Sequence, residues 1–440
     1  MKLSGWGRFP TYEARFSAPR TEDSLRERVA EGRVIARGNG RAYGDSAVSI
    51  SNTVHMGRFN RMISFDGETG QLVAEAGVLA GDIISSFLLR GWFLPVTPGT
   101  KFVTLGGMIA ADVHGKNHHC DGGFGNFTDW VDVMGPDGAI IRCSREENTN
   151  LFCWTLGGMG LTGVIVRAAV RLRPVESGWI RQKMVPTANL GETIDAFEAA
   201  QDSTYSVAWI DCLSKGDRLG RSLIMFGEHA TVDELDESRK SNPFKCIPKR
   251  KLSMPLSPPA ALMNGTFVRV FNALYYRNGL RKAGEGLVDW DSYFYPLDAI
   301  LNWNRIYGRK GFAQFQCVLP LETSHLGLQA LLEAISAAGA GSFLAVLKRL
   351  GEQSSRFSFP MPGYTLALDF PMSSQTLQLM EQLDEITLEH GGRFYLAKDS
   401  RMSAETLWQS DTRTEGFVQM RDDMGLRTIF TSEQSQRLQL

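Results

Sequence analysis

The sequence predicts an α+β protein of two domains, and three features of the chain predict it. Its 440 residues exceed what a single hydrophobic core usually supports. Up to about residue 175, short β-rich runs alternate with glycine-rich turns, whereas from about residue 176 glycine thins out and aromatic residues become frequent. In that second region strand-like and helix-like runs alternate, as is typical of an antiparallel sheet flanked by helices.

Glycine-rich turns in the first region adjoin predicted strands or helices. Strand-like residues 33–37 lead into the turn 38–45, and strand-like residues 72–76 precede a helical pattern at 80–89. A third group of glycines, at 157–163, is followed by a β-rich run. Backbone N–H groups in such turns approach a phosphate closely because no Cβ intervenes.

The second region contains predicted strands, two predicted helices and one basic loop. The predicted strands lie at 312–319, 342–347, 364–370 and 393–397, and the predicted helices at 326–338 and 374–389. Residues 245–259 combine four basic residues with proline and serine, which predicts a mobile loop.

Composition narrows the class of protein. With 43% hydrophobic and 22% charged residues, the chain resembles an ordinary soluble enzyme, and its net charge of −1 provides no general attraction for nucleic acid. Its six cysteines are scattered without paired spacing, which favours a reducing compartment. We find no signal-peptide pattern and no apolar run of about 18 residues, so we expect neither secretion nor a membrane span.

Residues 112–126 form the segment that is richest in candidate catalytic or ligand-binding side chains. Three histidines (His114, His118 and His119) and Lys116 lie there among several glycines. The imidazoles can exchange protons with a bound ligand, and the lysine can supply positive charge to it. The alternative is a polar surface turn. The three histidines do not predict a metal site, since Gly115 opposes a helix and no cysteine or carboxylate completes a ligand set.

The turn after residue 37 does not match the dinucleotide fingerprint. Gly38, Gly40 and Gly44 are spaced G-x-G-x-x-x-G, and the residues that follow form a poor helix. A Rossmann half is therefore not expected, whereas three glycine-rich turns suit a long ligand such as FAD. Lys398 follows an apolar strand, where it can serve a site or simply pair with Asp399 at the surface.

Ordered motifs identify a family resemblance. The segments LSGWGR, ARGNGRAYGD, PVTPGT, DVHGKNHH, GGMGLTG, WNRIYG, SFPMPGY and AKDSR occur in the order found in the decaprenylphosphoryl-β-D-ribose oxidase family, which is a branch of the vanillyl-alcohol-oxidase-like FAD proteins. The resemblance runs from about residue 3 to the C-terminus. It implies a PCMH-type FAD-binding domain at 1–176, a substrate domain at 177–392 and a C-terminal return to the FAD domain at 393–440.

The resemblance, together with the glycine-rich turns, also implies the site residues. The predicted FAD contacts are Gly38, Gly40, Arg41, Tyr43, Gly44, Asp45, Pro98, Gly99, Thr100, Thr104, Gly106, Gly107, His114, Gly115, Asn117, His118, Gly125, Asn126, Gly163 and Tyr395. The predicted substrate contacts are Lys116, Gln316, Lys348, Tyr364, Thr365 and Lys398. Lys398, His114 and Tyr43 are the candidates for the catalytic base, and the sequence does not rank them.

The implied reaction is FAD-dependent oxidation of the 2′-hydroxyl of a polyprenylphosphoryl-β-D-ribose. It is the first half of an epimerisation to the arabinose form, used in arabinan and cell-wall synthesis, and an NADH-dependent short-chain reductase subunit would complete it. The implied location is cytoplasmic, with peripheral contact at the inner face of the membrane left open. Two alternatives stay open: an FAD-dependent oxidase of a free alditol or aldonolactone, and a non-catalytic flavin-binding protein.

Three features of the sequence depart from the family pattern. Ala42 and Tyr43 stand where many relatives carry a flavin-tethering histidine, so we expect FAD to be held non-covalently. Ala367 replaces the cysteine of mycobacterial members, which implies that a thiol is dispensable. Tyr295 replaces the histidine that precedes proline in those members, which affects the aromatic surface offered to the sugar.

Overall fold

The computed structural model describes residues 1–246, 252–254, 265–353 and 355–440, and it has the mixed α+β architecture that the sequence predicts. The strands are β1 Lys2–Ser4, β2 Thr11–Glu13, β3 Phe16–Ser17, β4 Ile35–Arg37, β5 Thr53–His55, β6 Met62–Phe65, β7 Gln71–Glu75, β8 Trp92–Phe93, β9 Thr128–Met134, β10 Ile140–Ser144, β11 Val164–Arg171, β12 Arg173–Pro174, β13 Trp179–Thr187, β14 Tyr205–Ile210, β15 Ser222–His229, β16 Leu252–Ser253, β17 Gly284–Asp289, β18 Ile300–Leu301, β19 Phe312–Pro320, β20 Ala345–Leu350, β21 Gly363–Pro371 and β22 Arg393–Phe394.

The α-helices are short in the first half of the chain and longer in the second. They are α1 Glu22–Ala30, α2 Ala80–Phe87, α3 Leu105–Ala110, α4 His118–Asp121, α5 Thr149–Thr155, α6 Leu190–Ala199, α7 Glu237–Lys240, α8 Gly265–Arg281, α9 Trp290–Phe294, α10 Leu321–Ala338, α11 Ser374–Glu389, α12 Ala404–Ser410, α13 Arg413–Asp423 and α14 Glu433–Arg437. No helix of the described ranges is long and apolar enough to cross a membrane.

The first half is built on a five-stranded antiparallel sheet in the order β10-β9-β11-β7-β6. A small parallel sheet, β3-β5-β4, lies beside it and ends in the turn after Arg37. Strand β11 is buried on both faces over most of its length, and α3 packs on it and on β7. This packing fixes the glycine-rich start of α3 against the sheet.

The second half is built on an eight-stranded antiparallel sheet in the order β17-β13-β15-β14-β20-β21-β19-β22. Helices α6, α10 and α11 pack together over strands of this sheet, α10 contacting both β19 and β21. Successive residues of β21 point to opposite faces of the sheet. Leu366 and Leu368 belong to the large core cluster that α10 shares, so Ala367 and Asp369 face the other way.

Several predicted elements match the structure closely. The helix predicted at 374–389 is Ser374–Glu389, with the hydroxyl of Ser373 accepting from the Thr376 N–H as its N-cap. The helix predicted at 326–338 begins earlier, at Leu321.

Other predicted elements are shorter, shifted or outside the description. The strand predicted at 393–397 ends at Phe394, because the chain turns and the Lys398 N–H bonds to the Tyr395 carbonyl oxygen. The strand predicted at 342–347 is displaced to Ala345–Leu350. The loop predicted at 245–259 lies largely outside the described residues.

Candidate active site

A deep cavity separates the glycine-rich turns of the first half from strands β19 to β21 of the second. One wall consists of backbone from the predicted FAD contacts, and the other carries side chains of the eight-stranded sheet. Of the predicted residues, those that line it are Gly38, Gly40, Arg41, Tyr43, Gly44, Pro98, Gly99, Thr100, Thr104, Gly106, Gly107, His114, Gly163, Tyr395, Gln316, Lys348 and Lys398.

The turn after β4 favours glycine at two of its positions. A Cβ on Gly38 would lie 2.2 Å from Oγ1 of Thr104, and Gly40 has a φ of +63°. The same Oγ1 accepts a hydrogen bond from the Gly107 N–H at 3.2 Å and caps α3. Backbone of the first turn is therefore packed directly on the start of α3, and both line the cavity.

Arg41 offers a half-buried cation whose Nε–H donor is buried and unused among the described residues. Its guanidinium lies 4.1 Å from the centre of the Trp6 ring and 4.9 Å from that of Phe102. Its Nε is buried and has no hydrogen-bond partner among the described residues. Burial lowers the pKa of Arg41. A buried donor of this kind, beside glycine backbone, fits an elongated anionic cofactor such as FAD.

His114 is held as a neutral imidazole against aromatic rings. Its ring centre lies 5.0 Å from that of Tyr395 and 5.4 Å from that of Phe359. Burial lowers its pKa well below the usual range, and the neighbouring Lys348 adds to this. Its Nε2 is 3.1 Å from the side-chain nitrogen of Gln316, which donates also to Oγ1 of Thr365.

The tautomer of His114 follows from these contacts. Because an amide NH2 only donates, Nε2 of the imidazole accepts and Nδ1 carries the proton. Nδ1 is buried and has no partner within the described chain. The cavity wall thus offers an N–H donor at this point, which is a second indication that a polar ligand fits here.

Lys398, Tyr43 and Asp369 form the polar end of the cavity. The Nζ of Lys398 lies 3.7 Å from the centre of the Tyr43 ring. Burial lowers the pKa of Lys398, with Lys348 contributing in the same direction and Asp369 opposing. Burial also raises the pKa of Asp369 and that of Tyr43 well above its ordinary value. Tyr43 therefore keeps its proton at neutral pH.

The pairing of Lys398 with Asp399 that the sequence left open is wrong. The carboxylate of Asp399 accepts from Arg437 at 2.9 Å and from the Gln434 side chain at 3.0 Å, as well as from two backbone N–H groups. Lys398 instead points over Tyr43 and lines the cavity. Lys348, from β20, also lines the cavity, and burial lowers its pKa to about 8.

Three predicted substrate residues lie outside the cavity lining. The Tyr364 side chain is on the opposite face of β21, where its hydroxyl donates to Glu198 at 2.6 Å. Lys116 is buried against Tyr293, donating to that residue's carbonyl oxygen, with Nζ 4.1 Å from the ring centre. Burial lowers the pKa of Lys116 to about 7. Thr365 reaches the lining only through Gln316.

Some predicted FAD contacts hold the surrounding loops instead of lining the cavity. These are Asp45, Gly115, Asn117, His118, Gly125 and Asn126. His118 accepts from the Gly351 N–H at Nδ1 and lies 3.0 Å from Gln353 at Nε2. Asn117 donates to the Pro95 carbonyl oxygen and to Asp121. These contacts fasten the histidine-rich segment to its neighbours and so orient His114.

The sequence reasoning missed several lining residues. The main ones are Trp6, Trp303, Gln314, Val346 and Asp369. Period-two alternation was the available signal for part of this set, because Gln314 lies two residues before Gln316 on β19, and Asp369 two residues after Ala367 on β21. Ala367 itself lines the cavity, opposite Gln316 in register. Over the described ranges, no group of three metal-ligating side chains is present.

Comparisons with known proteins agree with this geometry. A family model described as an FAD binding domain matches residues 14–144. The chain is 36% identical over its full length to decaprenylphosphoryl-β-D-ribose oxidase of Mycolicibacterium smegmatis, covering 97% of that protein. It is 29% identical to an uncharacterized Streptomyces coelicolor protein encoded in the mprA 5′ region, over 80% of this chain and 96% of that one. L-gulonolactone oxidase of Mus musculus is 29% identical over 31% of each chain.

Proposed function

The chain belongs to the decaprenylphosphoryl-β-D-ribose oxidase family and is an FAD-dependent oxidoreductase, and from this premise we propose that it oxidises the 2′-hydroxyl of a polyprenylphosphoryl-β-D-ribose to the 2′-keto sugar. The observation that carries the proposal is the cavity end where two lysines with lowered pKa values, Lys348 and Lys398, meet His114 and Tyr43. A phosphate-bearing sugar needs both positive charge and a proton acceptor at such a site.

The glycine-rich wall would hold the cofactor. FAD supplies a two-electron acceptor that takes a hydride from an alcohol carbon. Backbone around Gly38, Gly40 and Gly107, with the unused Nε–H of Arg41, fits the phosphates of that cofactor. Because no histidine stands beside Tyr43 in the first turn, the proposal includes a non-covalent flavin.

The three candidate bases differ in what they can do. Tyr43 retains its proton because burial raises its pKa, so it can donate a hydrogen bond but not accept a proton. His114 presents Nδ1–H as a donor while Gln316 occupies Nε2. Burial lowers the pKa of Lys398, so its neutral amine, which can accept a proton, is populated nearer to neutral pH. We therefore assign the acceptance of the hydroxyl proton to Lys398, with His114 and Tyr43 positioning the sugar.

The keto product requires a second enzyme if the reaction is to yield the arabinose form. The proposal assigns this step to the NADH-dependent short-chain reductase that the family resemblance implies, because reduction on the opposite face would invert the carbon. The proposal also includes a cytoplasmic enzyme in peripheral contact with the membrane that holds its lipid-linked substrate.

Anaerobic mixing tests the function directly. Purified, oxidised protein would be mixed with polyprenylphosphoryl ribose or with free ribitol, and bleaching of the flavin absorbance would be followed. We expect rapid bleaching by the lipid-linked sugar and none by ribitol at equal concentration. Bleaching by ribitol alone would assign the protein to the alditol oxidases, and no bleaching by either would favour a binding protein without turnover.

A further inference from the structure

Helix α8, Gly265–Arg281, presents an unusually apolar outer surface. Val270 is 54% exposed and Leu274 is 62% exposed, and Phe271, Tyr275 and Leu280 are exposed as well. Leu274 lies four residues after Val270 and three after Phe271, so the three side chains form one stripe along the helix. A helix on a soluble domain normally turns such a stripe inward.

The helix is anchored by a different and narrower face. Val268, Asn272 and Gly279 are buried, and the helix contacts strands β13 and β15 there. Asn272 donates to Asp211 at 2.7 Å, which fixes the rotation of the helix on the sheet. The apolar stripe is therefore held outward by specific contacts of the inner face. A continuous exposed apolar patch of this kind marks an interaction surface.

Positive charge surrounds the stripe. Arg269, Arg277, Arg281 and Lys282 are all exposed, and the sequence has no acidic residue from 265 to 284. Arg277 and Arg281 continue the helical spacing beyond Leu274. The whole chain has a net charge of only −1, so this cluster is local. Apolar and basic side chains on one helical surface complement a bilayer interface with anionic headgroups.

Two aromatic contacts join α8 to residues that neighbour the cavity lining. Phe271 packs edge-on against Phe343, with ring centres 5.1 Å apart, and Leu344, the next residue, lines the cavity. Farther along the helix, the Tyr275 ring lies 4.8 Å from that of Trp209. Trp209 pairs in register with Val346, another lining residue.

We infer that the outer surface of α8 docks the protein onto an anionic lipid bilayer, beside the cavity that receives the lipid-linked sugar. The inference rests on the proposed function for the identity of the substrate, but the surface itself is defined by Val270, Phe271, Leu274, Arg277 and Arg281. The side chains of Val270, Phe271 and Leu274 would enter the boundary between headgroups and acyl chains, while the arginines contact lipid phosphates. A docked protein would then present its cavity rim to the bilayer.

Vesicle cosedimentation tests the surface without substrate. Full-length holoprotein would be sedimented with vesicles containing phosphatidylglycerol and, separately, with vesicles of phosphatidylcholine alone. The variants are Val270→Asp/Leu274→Asp and Arg277→Glu/Arg281→Glu. The matched control is Leu326→Asp, since Leu326 is 66% exposed on α10, at another surface. Bound FAD absorbance reports that each variant is folded.

We expect the wild-type protein and Leu326→Asp to bind the anionic vesicles equally, and each double variant to bind roughly tenfold more weakly or worse. Binding of the wild type should fall as salt is raised. Equal binding by all four proteins, or no binding by the wild type, would overturn the inference. The inference would also be overturned if a double variant still bound the vesicles and lost only self-association or the capture of a second protein.

Activity distinguishes this inference from the proposed function. A water-soluble, short-chain phosphoryl ribose should bleach the flavin at wild-type rates in both double variants, because α8 supplies no cavity-lining side chain within the described residues. Oxidation by a wild-type protein that does not bind anionic vesicles would overturn the docking surface alone. Vesicle binding without oxidation would overturn the function alone.

Discussion

Lys398 illustrates how the fold changes the chemistry of a single residue. An isolated lysine is a surface cation with a pKa near 10.4. Here the turn after β22 buries its stem, its Nζ lies over the Tyr43 ring, and the adjacent carboxylate of Asp399 is already occupied by Arg437. Burial lowers the pKa of the amine. The residue is therefore arranged to exchange a proton with a ligand in the cavity.

Substitution of Lys398 should slow the chemical step while leaving the cofactor bound. We expect Lys398→Ala to retain FAD and to reduce the rate of anaerobic flavin bleaching by about 10²-fold or more, the usual effect of losing a positioned proton acceptor. Stopped-flow absorbance measures this rate. Lys310→Ala, at an exposed lysine, is the control and should bleach normally. A loss of only a few-fold at Lys398 would remove it from the catalytic assignment.

The pH dependence of the same rate has a defined sign. Because a proton must leave Lys398 before the amine can accept one, bleaching should accelerate as pH rises through the lowered pKa of this residue. That acceleration should occur below the pH range in which an ordinary lysine titrates. Lys398→Ala should show no such limb. An identical pH profile in the two proteins would assign the limb to another group.

At the scale of elements, α3 couples the first glycine-rich turn to the cavity. The Thr104 hydroxyl caps the helix and is in close contact with the turn at Gly38. We expect Thr104→Ala to lower stability by about 1 kcal/mol and to weaken retention of FAD, because both loops that line the cavity lose this support. Thr104→Ser, which keeps the hydroxyl, should preserve both. Thermal melting and flavin content after gel filtration measure the effects.

A Thr104→Ala protein with unchanged melting temperature and full flavin content would show that the cap does not organise the turn. A serine variant as damaged as the alanine variant would instead implicate the methyl group, which packs in the same place.

The elements show where sequence reasoning works. Helix α11 was predictable because a capping serine, Ser373, and a glycine stop at Gly391 bound a periodic apolar pattern. Strand β21 was predictable from its β-rich composition. The face of the sheet on which each of its side chains lies was harder to predict. Until the register with β19 is known, the sequence allows Tyr364 as readily as Ala367 to line the cavity.

Part of the site depends on tertiary contacts that no local pattern encodes. Lys116 lies in the same motif as His114, yet Tyr293, far along the chain, draws its ammonium away from the cavity lining. From the sequence alone Asp369 is indistinguishable from an ordinary strand residue. In the structure Tyr307 and Gln314 donate to its carboxylate and hold it at the polar end of the cavity. Contacts between distant segments therefore decide which members of a motif reach the ligand.

At the scale of the whole molecule, the C-terminal segment is tied to the first glycine-rich turn by a buried ion network. Arg437 donates to Asp45 at 2.7 Å and to Asp399 at 2.9 Å. Burial alone would raise the pKa of Asp399, but Arg437 and two backbone N–H groups outweigh it and hold the pKa low. These contacts support our proposal that residues 393–440 return to the FAD-binding region.

Removal of the shared cation should destabilise the whole fold. We expect Arg437→Gln to cost about 3 kcal/mol near neutral pH, because two buried carboxylates lose their partner. The pKa of Asp399 is lower in the folded protein than in the unfolded chain. Its ionised carboxylate therefore stabilises the fold at pH values above the unfolded pKa, and this stabilisation is lost as the pH falls. The difference in stability between wild type and variant should therefore narrow as the pH falls below about 4, where Asp399 becomes protonated. Chemical denaturation at several pH values measures it.

The control for this prediction is Arg427→Gln. Arg427 pairs with Asp422 at 3.1 Å, but both side chains are substantially exposed, so the expected loss is below about 1 kcal/mol. Equal losses at Arg427 and Arg437, or a gap that widens at low pH, would contradict the importance of the buried network.

The proposed reaction removes a hydride from C2′ of a lipid-linked ribose. It is tested most directly by single-turnover, anaerobic flavin bleaching with polyprenylphosphoryl ribose carrying deuterium at C2′, compared with the same sugar deuterated at C3′. We predict that deuterium at C2′ slows bleaching several-fold and that deuterium at C3′ leaves the rate unchanged. Equal rates for both sugars and the unlabelled substrate, or slowing by the C3′ label alone, would contradict the claim.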